Sequence, residues 1–228
     1  MKKVLLLILS AFVLGGLASA QDMDDGPMID ITAISMGSGT IVDYLMEGTG
    51  DETTCALQFE AMDNMDDEES EGMNYSCLVE AVVAAGLAET LAGEGPFTVF
   101  APTDSAFYNF AQEQSVGTPA ELFADVEMLT SILTYHVVPD VGSLNDIFFS
   151  QDAEAEVYTT LATVNGAELP IEFPTNADEG EGGDEAVVMV GESEGSAVGQ
   201  AFVAGTNISV DNGHIIPITE VLLPPMAE

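Results

Sequence analysis

Apolar residues recur every three or four positions through most of the first 140 residues, and at every second position in much of the remainder. The first period is typical of amphipathic helices and the second of β-strands. Helices followed by strands indicate the α+β class. The pattern predicts helices over 40–46 and 76–91, one through Phe107 and Phe110, one starting at Thr118 and one carrying Val126 to Val137, and strands over 97–101, 157–164, 167–173, 186–190, 200–204, 207–210 and 214–223.

Residues 95–107 form the centre of this pattern, because apolar side chains occupy both faces of the strand predicted there. A strand that is apolar on both faces is central in its sheet and must be covered on both sides. Pro102 ends the strand, since it has no N–H for the ladder, and Thr103 or Asp104 can then cap a helix. The rest of the chain is therefore expected to pack around 97–101.

Three local signals fix the ends of the other elements. Thr118, Pro119 and Glu121 have the spacing of a capping box with proline at the first helical position. Asn165-Gly166 and Asn212-Gly213 are typical of tight hairpin turns. Pro217 predicts a bulge or a sheet edge in the last strand.

The helix over 76–91 is expected to bury Leu78, Val79, Val82, Val83, Leu87 and Leu91.

The first twenty residues have the pattern of a secretory signal peptide: Lys2-Lys3, an apolar run to Leu14, and small residues before Gln21. Residues 21–37 are expected to be a mobile acidic lead-in, and 38–225 a single domain. We expect no membrane insertion, because no later apolar run reaches about 18 residues. The protein is thus predicted to be secreted, to the periplasm or the extracellular space.

Charge restricts the partners more than any motif does. The formal net charge is −38, and the only basic residues, Lys2 and Lys3, lie in the predicted signal peptide. Phosphate binding needs Lys or Arg, so nucleic acid and anionic membrane surfaces are excluded as partners. Two explanations of the acidity stay open: a halophilic-type adaptation, which we favour, or specific divalent-cation binding.

The first of these explanations predicts a salt dependence. Repulsion among about forty carboxylates lowers stability until counter-ions screen it, and at about 1 M salt the Debye length is only about 3 Å. We expect the melting temperature to rise steeply with NaCl. A melting temperature that is flat between low and molar salt contradicts this expectation.

Two acidic insertions, 47–74 and 174–185, are expected to be solvated loops. The first offers weak metal ligands but no calcium loop, because an EF-hand that starts at Asp63 would need Gly at its sixth position, where Glu68 stands. We expect no cofactor, and no metal site beyond the weak candidates Asp66, Asp67, Glu68, Glu69 and Glu71.

Cys55 and Cys77 are an isolated pair within and just after the first insertion. In an exported chain they favour one disulfide, although a metal pair or free thiols stay open. Two cysteines without a nearby histidine make a poor zinc site.

Three ordered stretches resemble the fasciclin domain family: GPFTVFAPTDSAF at 95–107, LTSILTYHVVP at 129–139 and DNGHIIPITEVLLPP at 211–225. The resemblance covers roughly 38–225 and implies a β-wedge with helices packed against it. It also implies a secreted, non-catalytic module for adhesion or extracellular-matrix interaction. The expected partner is an extracellular protein, a polysaccharide or another copy of the chain.

The resemblance places Tyr135 and His136 at the Tyr-His element that is tied to cell adhesion in animal fasciclin domains. His136 also lies on the apolar stripe of its helix, which favours a buried, hydrogen-bonded structural role. Tyr135 points away from that stripe and is expected to be available for contact. Receptor specificity does not carry over, because the family's integrin-type adhesion often uses nearby basic residues, which are absent here.

The remaining candidate sites have simple structural interpretations. His214 is expected to be exposed beside a turn. Asp104, Ser105 and His136 supply the residue types of a hydrolase, but two adjacent residues at a helix start are better explained as caps, so we expect no enzyme. Asn74 and Asn207 fit the glycosylation pattern, which matters only in a eukaryotic source.

The function predicted first is therefore adhesion or matrix interaction around Tyr135. The alternative is an acidic protein that loads calcium or another divalent cation through its two insertions.

Overall fold

The computed structural model describes most of the region that was predicted to fold. The residues described are 34–49, 54–63, 74–143, 146–147, 158–172, 188–191 and 201–225. The predicted signal peptide, most of the lead-in, residues 64–73 and the whole second insertion lie outside the described residues.

Seven helices and nine strands occur in the described part of the chain. The helices are α1 Ile41–Thr49, α2 Cys55–Asp63, α3 Ser76–Ala84, α4 Ala88–Leu91, α5 Asp104–Glu113, α6 Pro119–Leu122 and α7 Val126–Tyr135. The strands are β1 Ile34–Met36, β2 Phe97–Pro102, β3 Val137–Pro139, β4 Tyr158–Ala162, β5 Glu168–Glu172, β6 Met189–Val190, β7 Ala201–Phe202, β8 Asn207–Val210 and β9 Gly213–Ile218.

The strands form two sheets. The first has the order β1-β8-β9-β2-β3, with β2 and β9 parallel in a register that runs from Phe97 opposite Gly213 to Pro102 opposite Ile218. The second is an antiparallel sheet in the order β4-β5-β6-β7. A bridge between Val203 and Ile218 joins the two sheets at the end of β9. With helices and mixed sheets together, the predicted α+β class is confirmed.

Strand β2 lies between the two hydrophobic cores, as its apolar faces predict. Val99 and Ala101 pack in the core that the helices cover, whereas Phe100 packs in the core that the second sheet contributes to. Thr103 caps α5 by accepting the Ala106 N–H. The prediction that 97–101 is the central strand is confirmed.

The single helix expected over 76–91 is two helices, α3 and α4. Gly86 has φ +70°, and the N–H groups of Gly86 and Leu87 donate to the carbonyls of Val83 and Val82. This is a Schellman ending, which favours glycine at the left-handed position. Val83, which was expected to be buried, is 61% exposed, and Val79 and Leu87 are half-buried.

Two segments that were expected to lack structure contain regular elements. Residues 34–36 of the lead-in form β1, parallel to β8. Within the first insertion, 55–63 form α2, whose Phe59 ring packs edge-on against Tyr108 at 5.4 Å. Two hydrogen bonds also hold α2: the Cys55 N–H donates to Glu80 Oε1 at 2.8 Å, and the Tyr108 hydroxyl donates to Asp63 Oδ1 at 2.6 Å.

Both predicted turns are present, but the second lies one residue earlier in the chain than expected. Gly166, with φ +89°, lies in the turn between β4 and β5, as Asn165-Gly166 predicts. At the second turn the loop residues are Asp211 and Asn212, and Gly213 is already the first residue of β9. Pro217 lies past the last residue of β9 that pairs with β8, but it still pairs with Ala101 of β2, so the predicted sheet edge exists only on the β8 side.

Cys55 and Cys77 form a disulfide that links α2 to α3, and both residues are fully buried. We predict that mass spectrometry of the unreduced, denatured protein finds no alkylatable thiol. Removing the bridge should cost roughly 3 kcal/mol, because it closes a loop with a sequence separation of 22 residues. Two alkylatable thiols in properly exported protein would contradict the pairing.

No helix in the described part of the chain is long and apolar enough to cross a bilayer.

Candidate functional site

Tyr135 is buried, which corrects the expectation that it is available for contact. Its side chain is 1% exposed and packs in the core between the sheets, and its hydroxyl donates to the Glu168 carbonyl at 3.1 Å. Helix α7 borders both cores, because Leu129, Ile132 and Leu133 pack on the helical side while Tyr135 packs on the other. Because the two cores cover two sides of α7, the side chain of residue 135 faces the second core and not solvent.

His136 is the buried, hydrogen-bonded residue that its place on the apolar stripe predicts. It is 1% exposed, its Nδ1 lies 2.8 Å from the Ile132 carbonyl, and its Nε2 accepts the Leu222 N–H at 2.9 Å. These contacts place the ring proton on Nδ1. Burial lowers the pKa of His136 from 6.5 to about 4, against the opposing effect of the Ile132 carbonyl. The neutral ring thus links the end of α7 to the C-terminal segment.

Asp104 caps a helix other than its own. Its Oδ1 accepts the Cys77 N–H at 2.7 Å, at the start of α3, while Thr103 caps α5. Asp104 is 1% exposed, and burial raises the pKa of its carboxyl. Asp104, Ser105 and His136 form no triad, because the main chain engages both ring nitrogens of His136.

The raised pKa of Asp104 predicts different outcomes for two substitutions. Folding disfavours the ionised carboxyl. Asp104 therefore contributes most to the free energy of unfolding at low pH, where it is protonated, and this contribution is lost as pH rises through the folded pKa. At pH 7, Asp104→Asn should therefore lose less free energy of unfolding than Asp104→Ala, since an amide oxygen still accepts the Cys77 N–H. Asp104→Ala should lose about 1–2 kcal/mol with the cap. Urea denaturation that shows equal losses for both variants contradicts the assignment.

His214 is half-buried, not exposed as expected, because it lies within β9 rather than in the turn before it. Its Nδ1 is buried without a hydrogen-bond partner. Burial lowers the pKa of His214, and the charge of Asp146 opposes that shift. Asn207 is 1% exposed in β8, so its amide is inaccessible to a glycosylating enzyme in the folded protein, whereas Asn74 is half-buried.

Asn212 has a structural role that its turn signal did not reveal. Its Oδ1 accepts the Ile41 N–H at 2.8 Å, and its Nδ2 donates to the carbonyls of Leu91 at 2.8 Å and Gly93 at 2.9 Å. One side chain thus links the start of α1, the end of α4 and the β8–β9 turn. An open cleft of about 680 Å³ lies beside it, between 92–96 and 210–214.

The exposed part of the Tyr-His region is the outer face of α7. Met128, Ser131 and Thr134 follow one another at three-residue spacing, which places them on one side of the helix. The β4–β5 turn extends this row, because Asn165 N–H donates to the Thr134 carbonyl and its Nδ2 to the Ser131 carbonyl. We call this set, with Val164, the α7 surface: Met128, Ser131, Thr134, Val164 and Asn165.

The α7 surface is partly apolar, and carboxylates flank it at its Met128 end. Met128 is 48% exposed and Val164 45%. Glu127 lies in the first turn of α7, and the exposed N-cap residue Asp125 accepts the Met128 N–H at 3.0 Å. In a chain of net charge −38, such a surface is a candidate contact site.

Among the described residues, no group of three or more His, Cys, Asp or Glu side chains could hold a metal ion. The weak candidates Asp66, Asp67, Glu68, Glu69 and Glu71 lie outside the described residues, so the cation-loading alternative stays a prediction.

Comparison with known proteins shows which family the chain belongs to. The fasciclin domain model matches residues 73–224. "Uncharacterized protein sll1735" of Synechocystis is 36% identical over 149 residues, which cover 65% of this chain and 89% of that protein. "Immunogenic protein MPB70" of Mycobacterium bovis is 32% identical over 61% of this chain and 55% of its own length.

Among solved structures, the domain pair of the insect cell adhesion molecule fasciclin I aligns with a TM-score of 0.47 at 21% identity, over 65% of this chain and 44% of that one. The family match itself runs from just before α3 to residue 224, near the end of the last described segment. This chain belongs to the fasciclin domain family.

Proposed function

We propose that the protein is a secreted, non-catalytic module that binds extracellular material through the α7 surface. The observation that carries this proposal is the presence of an exposed, partly apolar face on the Tyr-His helix of a chain without basic residues beyond Lys3. The predicted binding region is retained, but its contact residues change from Tyr135 to the outer side of the same helix.

The chemistry of the surface limits how it can bind. The α7 surface has no Lys or Arg to pair with a partner's carboxylate or phosphate. Met128 and Val164 are about half exposed, and full burial of such a side chain contributes about 1.5–3 kcal/mol, so each has about half of that still to gain. Binding through these residues is therefore driven by apolar contact, and it should persist or strengthen at high salt.

A pair of matched variants tests the proposal. Met128→Glu adds one charge to the α7 surface, while Met46→Glu makes the same change in α1 at a methionine that is 54% exposed. In a pull-down from the extracellular milieu of the producing organism, Met128→Glu should lose most binding and Met46→Glu should keep it. Equal binding by both variants would show that the α7 surface is not the contact site.

The same assay separates adhesion from cation loading. Replacing Asp66, Asp67, Glu68 and Glu69 by amides or serines should leave matrix binding intact, with or without calcium. If that variant loses binding while Met128→Glu retains it, the adhesive proposal is wrong and cation loading replaces it.

A further inference from the structure

We propose that the cleft between 92–96 and 210–214 binds a lysine side chain of a partner protein, as a second contact site that is separate from the α7 surface. The cleft has a volume of about 680 Å³, within the range of about 300–1,000 Å³ that is typical of ligand sites. No residue of the α7 surface lines it.

Both walls of the cleft carry a carboxylate. Glu94 is exposed on the first wall and Asp211 on the second. The described part of the chain has no Lys or Arg that could pair with either, because the only basic residues of the sequence are Lys2 and Lys3. A cleft with negative charge on both walls and no internal counter-charge is complementary to a cationic group.

His214, which also lines the cleft, does not neutralise these carboxylates. Burial lowers the pKa of His214 from its usual 6.5, although the charge of Asp146 opposes that shift. The imidazole is therefore neutral at pH 7, and the positive charge has to come from the ligand.

The two walls are held together before a ligand arrives. Asn212 Nδ2 donates to the Gly93 carbonyl at 2.9 Å, and the Phe97 N–H donates to the Asn212 carbonyl at 3.0 Å. Gly95 approaches the Asn212 carbonyl so closely that a side chain at residue 95 would clash with it. Because the cleft is preorganised, binding there costs less ordering than binding to carboxylates that project singly from the surface.

A lysine side chain fits the chemistry of both walls. Its ammonium group has three donors, so it can bond to Glu94 and Asp211 at once. Its methylene stem can lie against Pro96 and Val210, since lysine packs its stem on apolar surface while its charged end stays among polar groups.

The open shape of the cleft favours a protein segment over a free amine. A small amine would be only partly enclosed, whereas a segment that carries the lysine adds main-chain contacts along the rim. A second copy of this chain has no Lys or Arg beyond Lys3, so the partner is a different protein.

The test is an NMR titration of the isotope-labelled protein with three probes. These are the blocked peptide acetyl-Gly-Gly-Lys-Gly-amide, the same peptide with Gln in place of Lys, and n-butylammonium. We expect the lysine peptide to shift the amide signals of 92–95 and 210–214. Its dissociation constant should rise between about 0.1 and 1 M NaCl, as the Debye length falls from about 10 to about 3 Å. The other two probes should bind about tenfold more weakly or worse.

Two double variants separate this site from general attraction to an acidic protein. Glu94→Gln with Asp211→Asn removes two charges from the cleft. Glu47→Gln with Glu168→Gln removes two exposed charges from α1 and β5, outside the cleft. The first pair should raise the dissociation constant of the lysine peptide about tenfold or more, and the second by less than about threefold.

Four results would overturn the proposal. Equal losses in the two double variants, or shifted signals spread over the whole surface, would show that the peptide responds only to net charge. Equal binding of the glutamine peptide would remove the role of the ammonium group, and equal binding of n-butylammonium would make the ligand a free amine. None of these results bears on the α7 surface, which Met128→Glu tests separately.

Discussion

Replacing Gly213 with alanine lowers the free energy of unfolding by about 4 kcal/mol or more, or prevents folding. A Cβ at Gly213 would lie 1.9 Å from the Phe97 carbonyl oxygen and 2.8 Å from two further main-chain atoms of Phe97. Phe97 and Gly213 are opposite each other where the parallel β2–β9 pair begins. The clash is with backbone at the centre of the first sheet, so it can be relieved only by separating the strands.

Gly117 provides the matched control for this prediction. A Cβ there meets nothing within 4 Å, and its φ is not in the left-handed region. Gly117→Ala should therefore change the free energy of unfolding by no more than about 0.5 kcal/mol. Urea denaturation of both variants measures the difference. Similar values for the two would mean that β2 and β9 do not approach as closely as the structure shows.

Replacing His136 with phenylalanine has the second-largest expected effect, and that effect depends on pH. At pH 7 the variant leaves the Leu222 N–H without a partner, whereas the Ile132 carbonyl loses the ring but keeps the main-chain N–H of residue 136. The buried unpaired N–H costs about 1–3 kcal/mol and the lost hydrogen bond to the carbonyl about 0.5–1.5 kcal/mol, so the total loss is about 2–4 kcal/mol. The variant also removes a group that titrates differently in the folded and unfolded states.

The sign of the pH effect follows from the lowered pKa. Because the folded pKa of His136 is about 4 and the unfolded value is 6.5, the unfolded state binds the proton first as pH falls. In the wild type, the contribution of His136 to the free energy of unfolding is fully present above pH 6.5. It decreases as the pH falls toward 4, by about 3 kcal/mol in total. The difference in stability between wild type and His136→Phe should shrink over that range. The carboxylates titrate in both proteins, so a difference that stays constant with pH contradicts the assignment.

The parts of the fold that could be predicted from sequence are those that depend on local chemistry. The two-sided apolar run at 97–101, the capping threonines 103 and 118, and the Asn165-Gly166 turn each specify their own geometry. The break at Gly86 and the helix at 55–63 could not be predicted with the same rules. The first is a single glycine within a continuous apolar pattern, and the second is held in place by Cys77 and Tyr108, which are distant in sequence.

In the candidate site, too, features set by nearby residues could be predicted and features set by distant residues could not. The burial of His136 follows from its place on the apolar stripe, because that stripe lies on one helix. The burial of Tyr135 depends on the second sheet, which comes 23 or more residues later in the chain, so the helical period alone points the side chain to solvent. Asn212 likewise contacts partners that are up to 171 residues away, and its Asn-Gly signal indicates only the turn.

Hydroxyl-radical footprinting tests most directly whether the α7 surface, and not Tyr135, is the binding face. In the free native protein, Met128 and Met46 should both be oxidised while Tyr135, which is 1% exposed, stays unmodified. On addition of the bound extracellular material, oxidation of Met128 should slow and that of Met46 should not change. Rapid modification of Tyr135 in the free protein, or unchanged oxidation of Met128 in the complex, would contradict the binding face proposed for this fasciclin domain.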